Sequence, residues 1–289
     1  FAWESGATSA HLDLDYTDLA PLGQSLGLGL GGRLTAAAEV TSPGPLGVFD
    51  AELTGRIADP VLPDPVAQSL VAPNLDFRTR VAFDESGALS LTDLDLSSKM
   101  AKLTGDVSFD PDFSAITTTY RAELADLSVL SPAVGQPMTG SAVVTGRAEG
   151  RFEDLEVEGD LEIPKGSFAD VAVEAATVVF TAAGLPARPN GQLYAKLGSP
   201  LGQLEARTDF LLAPERLDLT NLSLSAEDLA ASGDAQVPMT GAPVTLGLSG
   251  RSENLTRWLA LAGLDGSGGG TFRLDLTPDG PRQAGRLNA

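Results

Sequence analysis

The chain has no cysteine, one histidine and few aromatic residues, and each scarcity removes a class of chemistry. Without cysteine there is no disulfide, no thiolate nucleophile and no thiolate metal site, a composition compatible with an oxidising compartment. One imidazole, His11, allows no multi-histidine metal centre and at most one Ser-His triad. Cations are scarce as well: 19 Lys and Arg stand against 39 Asp and Glu, giving a formal charge of −20. Phosphate backbones need clustered Lys and Arg, and no cluster is present, so no nucleic-acid partner is expected. The acidity reads instead as a well-solvated exterior. No apolar run approaches the roughly 18 residues of a helical span, and no charged-then-apolar leader opens the chain. It begins in mid-pattern at Phe1-Ala2-Trp3 and closes on Gly285-Arg286-Leu287-Asn288-Ala289. That is the expectation for a piece of a longer protein, with any anchor lying outside it.

What is abundant is glycine (32) and proline (19), with an apolar content of 43%. A block also recurs. Leu91-Thr92-Asp93-Leu94-Asp95-Leu96-Ser97 returns without a gap as Leu219-Thr220-Asn221-Leu222-Ser223-Leu224-Ser225. The register holds through Gly105-Asp106 and Gly233-Asp234, and through Thr117 and Leu127 against Thr245 and Leu255. An internal repeat of this kind indicates stacked units, which offer long surfaces more often than compact catalytic pockets.

A longer-range alignment gives the punctuation of the unit. Asp18-Leu19, Asp126-Leu127 and Asn254-Leu255 each start a segment; Gly27, Gly135 and Gly263 stand nine residues after the cap, and Gly32, Gly140 and Gly268 fourteen after it. Apolar positions match between cap and first glycine: Leu19/Leu22/Leu26, Leu127/Leu130/Val134 and Leu255/Trp258/Ala262. That spacing predicts a short amphipathic helix with an N-cap side chain and a left-handed glycine stop. Pro132 limits the second copy to a turn or two.

Elsewhere the period is two, as in Leu12-Asp13-Leu14-Asp15-Tyr16, Leu204-Glu205-Ala206-Arg207, Arg216-Leu217-Asp218-Leu219 and Phe272-Arg273-Leu274-Asp275-Leu276. Such strands belong to a sheet wet on one side. In Leu89-x-Leu91-x-x-Leu94-x-Leu96, and again in Leu217-x-Leu219-x-x-Leu222-x-Leu224, one extra residue separates two alternating pairs, predicting a bulge that keeps all four leucines on one face. Turn signals about every ten residues, at Ser42-Pro43-Gly44-Pro45, Asp84-Glu85-Ser86-Gly87, Asp110-Pro111-Asp112, Pro189-Asn190-Gly191 and Pro278-Asp279-Gly280, predict a β-meander.

The block Leu-x-Leu-Thr-Asn/Asp-Leu-x-Leu-Ser followed by Gly-Asp resembles the repeat of the AsmA-like superfamily. The glycine-flanked strand Gly140-Ser141-Ala142-Val143-Val144-Thr145-Gly146, with Leu155-Glu156-Val157-Glu158-Gly159-Asp160-Leu161 after it, is similar to the translocation and assembly module (TamB) family. The match runs roughly from Asp18 to the end and is least diagnostic over 59–80. The resemblance implies a mostly β fold: an elongated, curled antiparallel sheet, a β-taco or β-solenoid-like groove, with short amphipathic helices between units. It implies units over 1–125 and 126–253, and the start of a third over 254–289. It further implies a non-enzymatic segment of an inner-membrane-anchored protein in the periplasm, with phospholipid acyl chains and an outer-membrane barrel assembly factor as partners. No cofactor is implied.

Rival sites are weaker. Gly27-Leu28-Gly29-Leu30-Gly31-Gly32 fits G-x-G-x-x-G by letter, but a helix precedes it, strand-like residues follow, and two of its glycines are repeat punctuation. Gly266-Ser267-Gly268-Gly269-Gly270 lacks the Lys and Ser/Thr of a phosphate loop. His11 reads as a solvated edge residue. Asp13/Asp15/Asp18, Asp93/Asp95 and Asp106/Asp110/Asp112 lack calcium-loop spacing, and no carboxylate pair is singled out for glycoside chemistry.

The apolar positions Leu89, Leu91, Leu94, Leu96, Val171, Val173, Val178, Phe180, Phe210, Leu217, Leu219, Leu222, Leu224, Phe272 and Leu274 form either a packed core or the lining of a lipid groove. The residues by themselves favour the packed core, and the resemblance tips the reading to the groove. A helix over Leu255–Leu261 with Trp258 would cover part of its opening or pack on a rim. Two other functions compete: a scaffold whose sheet edges receive strands of outer-membrane barrels or autotransporters, and a secreted β-solenoid acting on glycans, for which the few aromatics give little support.

Overall fold

Strict alternation of apolar and polar side chains commits most of this chain to extended backbone, and short turns then fold successive strands side by side. The computed structural model describes residues 8–25, 29–42, 48–168, 171–199, 202–239, 242–254, 256, 267–279 and 282–288. The chain divides into two compact units, Phe1–Phe152 with Ser167–Asp170, and Glu153–Gly166 with Val171–Ala289.

The first unit contains β1 (Thr8–Tyr16), α1 (Ala20–Ser25), β2 (Gly31–Ser42), β3 (Phe49–Val61), α2 (Pro65–Val71), β4 (Asn74–Phe83), β5 (Leu89–Ser97), β6 (Ala101–Phe109) and β7 (Ala115–Leu124). A 3-10 turn (Leu127–Leu130), α3 (Ser131–Val134), β8 (Met138–Gly140) and β9 (Ala142–Arg151) follow. From β1 to β7 each strand pairs antiparallel with the next, and β7 then pairs with β9. The result is the antiparallel meander that the alternation and the turn signals predict.

The capped segments form as the repeat punctuation requires. Asp18 accepts the Ala20 N–H at 2.9 Å at the start of α1, and Leu19 is buried. Asp126 accepts the Ser128 N–H at 2.8 Å, Leu127 is 4% exposed, and Gly135 ends α3 in the left-handed region at φ 72°. The backbone N–H and hydroxyl of Ser128 also hold the Asp126 carboxyl below its ordinary pKa. The glycines fourteen after each cap share one backbone state, with φ of 118° at Gly32 and 110° at both Gly140 and Gly268. The third cap is in place, Asn254 accepting the Thr256 N–H at 3.2 Å. The remainder of that predicted helix, with Trp258, lies outside the described residues, as do Gly27 and Gly263.

Helix α2 falls in the stretch where the repeat gave no guidance. Asp64 caps it by accepting the Ala67 N–H at 2.8 Å, Pro65 opens it, and the Gln68 amide ties it down by donating to the Pro60 carbonyl at 2.7 Å. In this unit the helical connections therefore lie on one side of the strands, at 20–25, 65–71 and 127–134. Tight turns at 84–88 and 110–114 lie on the other.

The second unit runs β10 (Asp154–Ile163), β11 (Gly166–Phe168, shared with the first unit), β12 (Val171–Val173), β13 (Ala175–Leu185), β14 (Asn190–Ser199), β15 (Gly202–Ala213), β16 (Arg216–Ala226), β17 (Leu229–Pro238), β18 (Thr245–Ser252), β19 (Gly270–Asp279) and β20 (Arg282–Asn288). Strand β10 pairs with β13, and every strand from β13 to β20 pairs antiparallel with its successor.

Neither unit has the interior its size would allow. Among the described residues no large side chain is less than 2% exposed, and the buried apolar set is small and rich in alanine: Leu19, Ala51, Leu127, Ala142, Val173, Leu229, Ala231, Ala235 and Phe272. A packed domain core surrounds each large apolar side chain on all sides. Here the apolar side chains stand half-buried, flanked by their neighbours in the sheet.

Candidate functional site: an uncharged sheet face

Directly paired residues of an antiparallel sheet share a face, so the register assigns every side chain. In the first unit one row reads Leu14, Ala36, Gly55, Phe77, Leu96, Leu103, Ala122, Val144 from β1 to β9. A parallel row reads Ala10, Val40, Ala51, Val81, Leu91, Val107, Thr118, Ala148. In the second unit one row reads Leu161, Val178, Ala195, Ala206, Leu224, Ala231, Gly250, Phe272. No Asp, Glu, Lys, Arg or His occurs in any of these rows.

The charges occupy the opposite face, where they pair across strands. Arg33 meets Asp15 at 2.7 Å, Arg56 meets Asp76, Arg78 meets Glu52, and Lys102 meets Asp95 at 3.1 Å. The hydrogen bond from Arg56 holds the Asp76 carboxyl below its ordinary pKa. His11 lies on this face too, exposed and 3.3 Å from Asp13. Such exposed pairs contribute little stability each, and their chief effect is to keep this face wetted.

The predicted bulge is present in both units and is built from the same parts. Pairing with β6 slips between Leu91 and Leu94, and pairing of β16 with β17 slips between Leu219 and Leu222. At the extra residue the backbone enters the left-handed region, with φ 54° at both Asp93 and Asn221. The freed N–H of Asp93 donates to Asp106 Oδ1 at 3.0 Å, and that of Asn221 to Asp234 Oδ1 at 3.1 Å. On the preceding strand a buried threonine hydroxyl donates to the bulge carbonyl, Thr79 to Thr92 at 3.1 Å and Thr208 to Thr220 at 3.0 Å. The repeated Gly-Asp is thereby explained: Asp secures the bulge, and Gly admits the neighbouring backbone. A Cβ on Gly105 would collide with the Thr119 carbonyl oxygen on β7, and one on Gly233 with that of Gly247 on β18. Both glycines sit on the uncharged face, so at these points the sheet bends toward that face.

Of the groove candidates, Leu89, Leu91, Leu94 and Leu96 stand together on β5. Val178, Phe180, Phe210, Leu217, Leu219, Leu222, Leu224, Phe272 and Leu274 stand on the uncharged face of the second unit. Most are half-buried, and Phe272 is buried in a small cluster with Leu229 and Ala231. Val171 and Val173 are placed elsewhere, on the short strand β12 outside the meander, with Val173 buried. Their alternation was sound; a three-residue strand simply does not enter the long ladder. Residues that alternation alone passed over complete the face: Phe77, Leu103, Val107, Tyr120, Leu193 and Leu248. Cross-strand register, which a single strand does not reveal, is what adds them.

The glycine motif at 27–32 follows α1 and leads into β2, the reverse of the order that dinucleotide binding requires. Among the described residues no three His, Asp or Glu side chains converge as a metal-binding group, and no helix is long and apolar enough to cross a membrane. No family model, no curated protein and no solved structure matches this chain.

Proposed function

We propose that this chain is a conduit segment that shields lipid acyl chains on the uncharged face of its meanders. The observation that carries the reading is a face continuous over successive strands, free of charge and only partly covered along most of its length. Water covers such a face at a cost, and a hydrocarbon chain laid on it recovers about 0.8 kcal/mol per buried methylene. Leucine, valine and alanine make no directional demands, so a chain slides along the rows without breaking hydrogen bonds. Curvature at Gly105 and Gly233 brings neighbouring rows toward one another, as a trough requires. The resemblance to AsmA-like repeats supplies the setting: a periplasmic stretch of an inner-membrane-anchored protein that moves phospholipid between the two membranes and serves outer-membrane protein assembly, without enzymatic chemistry.

The test is lipid recovery. Protein isolated from a Gram-negative envelope should carry phospholipid detectable by mass spectrometry. Leu222→Asp, in the middle of the face, should lower that yield at least about fivefold by placing a charge on the face. Ser223→Asp, one residue along on the wet face, should leave it unchanged. Equal yields from both variants, with circular dichroism showing both folded, would remove the proposal.

A second reading has its own observation. Among the described residues of its unit β1 pairs with β2 alone, and all nine of its residues are exposed, Leu12 at 57% among them. An open edge of this kind receives a partner's strand, which is how a scaffold for barrel or autotransporter assembly would work. It predicts protein adducts at β1 and no lipid at Leu222.

A further inference from the structure

In the first unit the uncharged face has two unlike edges. On the helical side it is closed and stitched to the strands. Leu19 and Leu127 of the capped segments are buried, and so is Ala142 at the start of β9, in register with Leu124. The Leu19 N–H donates to the Gly32 carbonyl at 2.8 Å, the Ala125 N–H to the Met100 carbonyl at 2.9 Å, and the Ser98 hydroxyl to the Leu70 carbonyl of α2. On the turn side the last row of the face reads Phe49, Phe83, Leu89, Phe109, Ile116, Gly150 from β3 to β9. The Phe49 and Phe83 rings stack at 6.0 Å. Beyond that row Phe113 and Phe152 stand in the turns, 47% and 44% exposed, with centroids 6.0 and 6.4 Å from that of Phe109. Five of the eleven phenylalanines thus gather at this edge and make an apolar path from solvent to the face.

The backbone holds one of these rings outward against its own preference. The Phe113 N–H donates to the Asp110 carbonyl at 3.0 Å, and Asp110 accepts the Ala115 N–H at 2.9 Å and the Ser114 hydroxyl at 3.0 Å. The turn so closed leaves Phe113 at φ 56°, where bulky side chains are rare. Neighbouring turns brace it: the Phe152 N–H donates to the Ser114 carbonyl at 3.2 Å, and a Cβ on Gly87 would touch Pro111. Burial does not offset the strain, since the Phe113 ring is nearly half exposed. A strained, half-exposed phenyl ring contributes little to stability, and such outliers gather where a protein meets a ligand.

We propose that this edge is a lateral portal: acyl chains pass onto and off the uncharged face across Phe113 and Phe152, while the helical edge is closed to them. The portal rests on the acyl-chain reading and adds the side from which the face is reached. A hydrocarbon chain crossing a strand edge meets water and polar backbone, which raises the barrier to entry and exit. Phenyl rings that lead to Phe109 cover its methylenes during the crossing and lower that barrier. Because the rings touch the chain in passage and not at rest, they set the rates of uptake and release and leave the affinity alone.

Stopped-flow mixing with a fluorescent lysophosphatidylcholine below its micelle concentration gives both rates, and their ratio gives the affinity. Phe113→Asn suits the left-handed backbone, so it should unfold in urea no more easily than wild type. It should nevertheless slow uptake and release alike, about two- to fivefold, with affinity held within about twofold. A chain free of cysteine also accepts a single one for labelling. A polyethylene glycol adduct on Phe113→Cys should slow both rates at least about fivefold. The same adduct on Ala133→Cys, exposed on α3, should change neither. Unchanged rates in Phe113→Asn or under the adduct at 113, or equal slowing by the adduct at 133, would overturn the portal and leave the face standing. A fall in affinity with release alone quickened would make Phe113 a lining residue and would overturn it as well. If wild type takes up no labelled lipid, the acyl-chain reading fails and the portal with it.

Discussion

At Gly233 a missing methyl group sets the local curvature of the sheet. A side chain there would occupy the position of the Gly247 carbonyl, so alanine forces β17 and β18 apart. Gly135 is a different case: its φ of 72° ends α3, and nothing lies within 4 Å of where a Cβ would stand. The two substitutions therefore separate close approach from backbone preference. Gly135→Ala should cost about 1 kcal/mol, the left-handed penalty alone. Gly233→Ala should cost about 3 kcal/mol, because packed backbone must move. Urea unfolding of the two variants checks the difference, and equal costs would mean that the sheet is not bent at Gly233.

The bulge is the element that turns a repeated sequence into a one-sided sheet. If β5 alternated regularly through Thr92 and Asp93 with no bulge, Leu89 and Leu91 would face one way and Leu94 and Leu96 the other, since side-chain direction alternates with every residue. Inserting a serine after Asn221 should therefore carry Leu222 and Leu224 to the wet face or force β16 out of register, with loss of lipid binding and a lowered unfolding midpoint. Unchanged lipid binding would show that this leucine set is not the lining. Much at this scale was legible in the chain. The x-x between leucine pairs announced the bulge, Asp18 and Asp126 announced capped turns, and Pro132 announced the shortness of α3. Helix α2 was not read, although Asp64-Pro65 is a recognisable start. Seven residues then separate the cap from Ala72, too few for a helical period to stand out. The placement of Val171 and Val173 on β12 was equally illegible, because pairing partners decide it and local alternation does not.

At the scale of the whole molecule, function follows from what the apolar face meets. Period-two alternation states that each strand has an apolar side; it does not state whether another layer covers that side. The answer lies in non-local packing: among the described residues few large side chains are buried, and most leucines of the two meanders are only partly covered. A face without charge whose polar counterpart is threaded with ion pairs suits an extended apolar cargo better than a reaction centre. The most direct measurement is photo-crosslinking in living envelopes, with a photoreactive amino acid placed at Leu222 on the uncharged face and, separately, at Ser223 on the wet face, read by lipid mass spectrometry. The account predicts phospholipid adducts at 222 and none at 223. Adducts absent from 222, with protein adducts gathered along β1 instead, would contradict it.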